Sequence, residues 1–250
     1  GLTLTGIATF SLLVLIALGR WTVPIWRAAH EAEGLACDSA LPPPDPRALL
    51  FERCYSLKDG ALSIRSTEML AVLNGDMQLL VYANTVQDIT NALRLAEEFD
   101  IDMVLEGAAE SYMMLDDLKA AGIPVIPHPP MIRTYEERKN ASFTTAGKLA
   151  DAGIPIALQT GYESYVPKVR VLVFEAGHAA AHGLGFTRAL RACTLDAATV
   201  LGVADRIGSL EPGKDADLAL WDGDPFEWTT HCTTVVIDGN VIASEDAWGN

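Results

Sequence analysis

Ala121-Gly122-Ile123-Pro124, repeated as Ala152-Gly153-Ile154-Pro155, is the stretch on which the fold turns. In each copy a glycine closes a run with helical spacing, and a proline stands near the start of an apolar run. Glycine ends a helix because it takes up the left-handed backbone without a Cβ clash. Proline is tolerated at a strand's start, where its missing N–H breaks no ladder. Each copy therefore reads as a helix stop followed by a strand start. Working outward, strands are expected at residues 78–83, 101–105, 123–126 and 154–158, with helices at 87–99, 111–121, 143–152 and 168–182. In 87–99 the apolar residues Ile89, Leu93, Ala96 and Phe99 recur at helix spacing. The strands are nearly continuous apolar runs, as in sheets buried on both faces. Strand and helix in alternation give an α/β chain with a parallel sheet.

The flanks differ in texture. After a further helix at 187–201, short strands are expected at 207–210, 218–221, 234–237 and 241–243, with Asp238-Gly239 as a hairpin turn. Before the alternation lie an apolar helix at 2–19, a more polar one at 20–33 interrupted by Pro24, a stiff loop through Pro42-Pro43-Pro44 and Pro46, and a short helix at 68–73. The expected organisation is 1–74 helical and irregular, 75–203 α/β, and 204–250 a small β unit. The apolar run Ile7–Leu18 is too short to span a bilayer. It has the length of a signal-peptide core but no Lys or Arg before it, so a buried helix is expected. The chain opens on Gly1 rather than Met, and a longer parent chain is expected.

The 250 residues are 50% hydrophobic and 20% charged, enough for a real core. A net charge of −15 repels nucleic acid and acidic lipid, so neither is expected as a partner and the protein is expected to be soluble, its compartment open. Cys37, Cys54, Cys193 and Cys232 lack zinc-finger spacing and are expected as free thiols.

The run Arg206-Ile207-Gly208-Ser209-Leu210-Glu211-Pro212-Gly213-Lys214-Asp215-Ala216-Asp217-Leu218, the helix at 189–198 before it and Gly223-Asp224-Pro225-Phe226 after it resemble the C-terminal segment of the amidohydrolase superfamily, its imidazolonepropionase-like branch in particular. The resemblance is most specific over 186–243 and extends back to about residue 75. It implies a TIM-like (β/α)8 barrel beside a small β unit, of the composite metal-dependent hydrolase type. The four strand–helix units would then be about strands five to eight. Half a barrel leaves open edges. The family's first-strand His-x-His is absent, so the chain is expected to be a fragment or to have lost its first half, and its partner to be a missing N-terminal half or, as a homo-oligomer, a second copy.

The resemblance also implies metal ligands at three strand ends, where this chain has Tyr82, Glu106 and Gly161. Tyrosine and glycine are poor ligands for a divalent ion; glutamate serves. Barrel sites lie at the C-terminal strand ends. There His128, Glu106 and Glu163 form the candidate catalytic set, His128 and Glu106 the candidate metal ligands, and Tyr82, Arg133, Tyr162 and Lys168 the candidate substrate contacts. Glu110, Glu136, Tyr165 and Arg170 crowd the same rim, which is polar whatever its role. His178 and His182, four apart on one helix, are expected to be structural. Zinc is the cofactor implied by an active enzyme, none by an inactive one. Two functions follow: hydrolysis of a non-peptide C–N bond in a small molecule, a cyclic amide among the candidates, or a non-catalytic relative used for binding or assembly. A nucleotide enzyme is disfavoured, because no glycine-rich phosphate loop follows a strand.

Overall fold

The computed structural model describes residues 71–161 and 171–244. The apolar run at 7–18, the two helices expected at 2–33, the proline loop, and the side chains of Tyr162, Glu163 and Lys168 lie outside the described residues. The chain divides into two units, residues 1–82 with 90–103, and residues 83–89 with 104–250.

The described part of the first unit holds most of strand β1 (Leu79–Ala83) and of helix α1 (Val86–Phe99). Ala96 and Phe99 of the expected apolar spacing are buried in α1 together with Ala92 and Leu95, whereas Leu93 is only half-buried. The Leu79 amide donates to the Asp102 carbonyl at 2.8 Å.

In the second unit, which takes all of strand β2 (Met103–Gly107) but its first residue, β2 runs parallel to β3 (Val125–Pro127), pairing Leu105 with Val125 and Glu106 with Ile126. Helix α2 (Leu115–Ala121) joins them, and α3 (Thr145–Asp151) follows β3. Both glycines of the repeat are left-handed, Gly122 at φ 67° and Gly153 at φ 80°. The two prolines donate nothing, but their carbonyls enter the ladder: Leu105 donates to Pro124 at 3.0 Å and Val125 to Pro155 at 2.9 Å. Val104, Ala157 and Val200 pack together with Ile126 and Ala197. By the two-residue period Glu106 shares a sheet face with Val104.

Four expected elements differ, and in the first of them the helix at 111–121 opens as a 3-10 turn, Ser111–Met113, and breaks at Met114 before α2. Residues 154–158 form only one bridge, Val125 with Ile156. The Leu158 amide turns to the Ala192 carbonyl at 2.9 Å, and the Gln159 side-chain amide takes the Ile126 and Pro127 carbonyls, so the ladder ends there. The helix at 187–201 is two, α5 (Phe186–Ala192) and α6 (Leu195–Val200). Thr194 breaks it at φ −127°, ψ −101°, its hydroxyl donating to the Leu190 carbonyl at 2.8 Å. The strand expected at 207–210 is a turn. Gly208 stands at φ 92°, and a Cβ on it would lie 2.7 Å from the Ala198 Cβ.

The remaining strands, β4 (Leu218–Trp221), β5 (Cys232–Ile237) and β6 (Asn240–Ser244), form an antiparallel sheet. Asp238 and Gly239, both at positive φ, make the expected hairpin turn. The acids of the 206–218 run are structural. Asp215 receives Arg206 at 2.6 Å, and Asp217 receives the Asp238 amide at 2.8 Å. Between them they tie the turn to the hairpin.

The two described cysteines are free. Burial pushes the Cys193 thiol up to about 12, whereas Cys232 is exposed. Since the thiolate is the nucleophile, iodoacetamide at pH 8 is expected to label Cys232 in native protein and Cys193 only after unfolding. Peptide mass mapping checks this; equal native labelling of the two would contradict the burial.

Candidate functional site

The C-terminal ends of β2 and β3 carry the polar residues. Glu106 is half-buried on β2, and burial raises its carboxyl above the usual glutamate range. It has no hydrogen-bond or ion-pair partner among the described residues. After β2 the chain turns through two left-handed residues, Gly107 at φ 84° and Ala108 at φ 49°, the second fully buried and costly for a residue with a Cβ.

Glu110, 8% exposed, follows this turn. Its Oε2 accepts the Val86 amide at 2.6 Å, and its Oε1 accepts the Asn140 side-chain amide at 2.6 Å. Val86 begins α1, where a carboxylate satisfies an otherwise orphaned N–H. Glu110 thus joins the start of α1 to the loop between β3 and α3.

His128 opens that loop and is 3% exposed. Its Nδ1 lies 3.0 Å from the Pro129 carbonyl, which only accepts, so Nδ1 carries the hydrogen. Its Nε2 is then the acceptor, 3.3 Å from the Ser142 amide and 3.2 Å from the Thr145 hydroxyl. Burial lowers the His128 pKa, against a smaller upward effect of the Pro129 bond. The ring is therefore neutral, with both nitrogens engaged.

The other predicted residues scatter. Tyr82 is half-buried in β1, and Arg133 is exposed in the loop. Gly161 has φ 69°, and a Cβ there would lie 2.8 Å from Cγ of Pro129. Gly161→Ala is expected to destabilise the protein by about 1–2 kcal/mol, the cost of a left-handed L-residue. The urea midpoint reads this, and a midpoint equal to wild type would remove the constraint. His178 and His182 stack on Phe143, with centroids 6.2 Å and 4.8 Å from it. The His182 Nδ1 is 2.7 Å from the His178 carbonyl.

Asn84, Asn140, Ser142, Thr145 and Glu175 did not stand out in the sequence. Neutral polar residues carry no period, and Glu175 lies inside an apolar helix, α4 (Leu172–Ala179). Glu175 is fully buried, and its Oε2 accepts the Met131 amide at 2.9 Å. A charged residue within an apolar helix was the one available signal. Met131 also lines an apolar cleft of about 650 Å³ with Phe174, Gly177, His178, Phe226 and Trp228.

A metal ion needs several converging donors. Among the described residues no three His, Cys, Asp or Glu side chains stand together to hold one. Glu106 belongs to no such group, the nitrogens of His128 are engaged, and Gly161 has no side chain to offer. The candidate ligand pair His128 and Glu106 does not fit a metal ion among the described residues.

Comparison with known proteins points one way. A family model described as the amidohydrolase family matches residues 51–243. An imidazolonepropionase of Geobacillus kaustophilus is 33% identical over 107 residues, which are 40% of this chain and 25% of that protein. An imidazolonepropionase of Syntrophobacter fumaroxidans is 28% identical over 167 residues, 66% of this chain and 38% of that protein. The chain thus spans between a quarter and two fifths of the length of these relatives. A crystal structure of an amidohydrolase from Thermotoga maritima matches 97% of this chain and 57% of its own, at 27% identity and a TM-score of 0.71. A zinc-bound adenosine deaminase from Xanthomonas campestris matches 71% of this chain and 47% of its own at 20% identity and a TM-score of 0.54, a likeness of fold. These neighbours imply a TIM-barrel type of fold.

Proposed function

Because this chain belongs to the amidohydrolase family, we propose that the protein containing it hydrolyses a C–N bond other than a peptide bond in a small molecule, a cyclic imide or ureide first among them. We take β1, β2, β3 and the segment at 154–158 as about strands five to eight of a barrel, completed by further chain or by another copy. The observation that carries the reading is Glu106. A half-buried carboxyl at a strand end, raised by burial and unpartnered among the described residues, costs stability, and groups kept at such a cost cluster at functional sites.

In this reading water adds to the carbonyl carbon and the C–N bond breaks. Glu106 takes the proton from the attacking water and returns it to the leaving nitrogen. Arg133, exposed in the loop after β3, is a candidate substrate contact, as are Tyr82, Tyr162 and Lys168. Glu163 is the second candidate carboxylate. Zinc is the cofactor that family membership suggests, and no step is assigned to it. No described helix is long and apolar enough to cross a membrane.

The test is turnover. Full-length gene product is incubated with a panel of cyclic imides and ureides, and ring opening is followed by loss of ultraviolet absorbance. Opening of at least one member is expected; none opened sinks the proposal.

A second reading, a non-catalytic relative used for binding or assembly, is favoured by the engaged ring of His128 and by the packing of Gly161 on Pro129. It requires Glu106→Ala and Glu163→Ala to change stability or partner binding and no turnover. A rate loss with unchanged folding counts against it.

A further inference from the structure

We propose that Glu110 is a positioning residue, which holds the loop at 128–144 over the strand ends and so shapes the site around Glu106. The role in the site rests on the hydrolase reading; the clamp does not. Of the six buried polar side chains among the described residues, all but Ser111 converge on this one loop. Asn84, 1% exposed just after β1, donates to Glu137 at 3.1 Å. Glu110, after β2, receives Asn140 at 2.6 Å. The neighbouring Tyr112 hydroxyl donates to the Asn140 carbonyl at 3.2 Å. Glu175, from α4, receives the Met131 amide. His128 and Thr145 bond to each other at the loop's two ends and close it on itself through Ser142.

Loops seldom bury polar groups, because each must then find a partner. Here separate elements provide the partners, and three of them follow successive strands or form a neighbouring helix. The loop carries Arg133 and one wall of the apolar cleft, at Met131. Such anchoring from outside is what keeps a binding loop in one conformation. Glu110 is the central tie, because one carboxylate bonds both the loop and the first turn of α1. Losing it removes an acceptor from both the Val86 N–H and the Asn140 amide.

The loop contains Arg133, Arg138 and Lys139, so trypsin reports its opening. Full-length wild type, Glu110→Ala, Glu110→Gln and the surface control Asp117→Asn are digested briefly and the peptides mapped. Cleavage at the three loop sites is expected to be about tenfold faster in Glu110→Ala, as local opening becomes easier. Glu110→Gln, which keeps one acceptor oxygen, is expected to fall between, and sites outside the loop and the control to be unchanged. For any imide or ureide opened by wild type, KM is expected to rise in Glu110→Ala more than kcat falls. Should that variant not fold, Glu110→Gln and Asn140→Ala carry the same comparison. Unchanged loop cleavage, or cleavage raised equally at all sites, overturns the clamp. Faster loop cleavage with unchanged KM overturns the role in the site. Wild type inactive on the whole panel sinks the hydrolase reading and the site role with it, while the digestion still decides the clamp.

Discussion

Glu106→Gln in the full-length gene product is expected to lower kcat on a cyclic imide or ureide by about 100-fold or more, the range of a lost general acid–base. The same variant is expected to unfold at a higher temperature than wild type at neutral pH. The two effects have one cause. Burial raises the Glu106 pKa above its ordinary value of 4.5, so the folded protein holds a carboxylate that the unfolded chain ionises more easily. A group raised in this way contributes stability below its unfolded pKa and loses that contribution as pH rises through its folded pKa. Glutamine is neutral throughout. The gain in midpoint should therefore be present at pH 7–8 and close as pH falls toward 4. Thermal melts across that range, beside kinetics, separate three cases. Lost activity with raised stability marks a residue kept for chemistry. Lost activity with lost stability marks a structural role. Unchanged activity removes Glu106 from the mechanism.

What the sequence disclosed about this region, and what it hid, follows from the range of the interactions. The glycines and prolines of the 121–124 and 152–155 repeats act within a few residues, and their strand and helix boundaries can be read locally. So can Asp238-Gly239, whose two positive φ values suit the turn between β5 and β6. The segment at 154–158 has a strand's composition but loses its ladder to Ala192 and Gln159, one of them more than thirty residues away in sequence. The break at Thr194 arises from a hydroxyl competing for a helix carbonyl, which apolar spacing does not register. The place of Glu106 at a strand end was legible, because the order of elements gives positions. The neutrality of His128 was not, because it depends on Ser142 and Thr145, fourteen and seventeen residues on. The 206–218 run names the family and closes a turn through Arg206 and Asp215; none of its residues was placed in the candidate site.

His128→Ala is expected to be among the most destabilising single changes in the described chain, by about 3 kcal/mol. The imidazole is nearly inaccessible and makes three hydrogen bonds, to the Pro129 carbonyl, the Ser142 amide and the Thr145 hydroxyl. Alanine leaves all three groups without their partner and opens a void beside the start of α3. The effect has a pH signature that a simple loss of volume lacks. Burial holds the folded His128 pKa below its ordinary value of 6.5, so the unfolded chain takes up a proton there before the native ring does. The unfolded state then binds more protons below pH 6.5, and stability rises with pH in that range. The contribution is fully present above pH 6.5 and is lost as pH falls toward the folded pKa, at a slope of no more than about 1.4 kcal/mol per pH unit for one proton. Urea unfolding of wild type and His128→Ala between pH 5 and 8 should show the gap between them widest above pH 6.5 and narrowing below it. A gap independent of pH would mean that the ring is equally ready to take a proton in both states, and hence that its Nε2 is not tied to Ser142 and Thr145. In that case the nitrogen is free to turn toward the strand ends and act there as base or ligand, which is the role that its position after β3 first suggested.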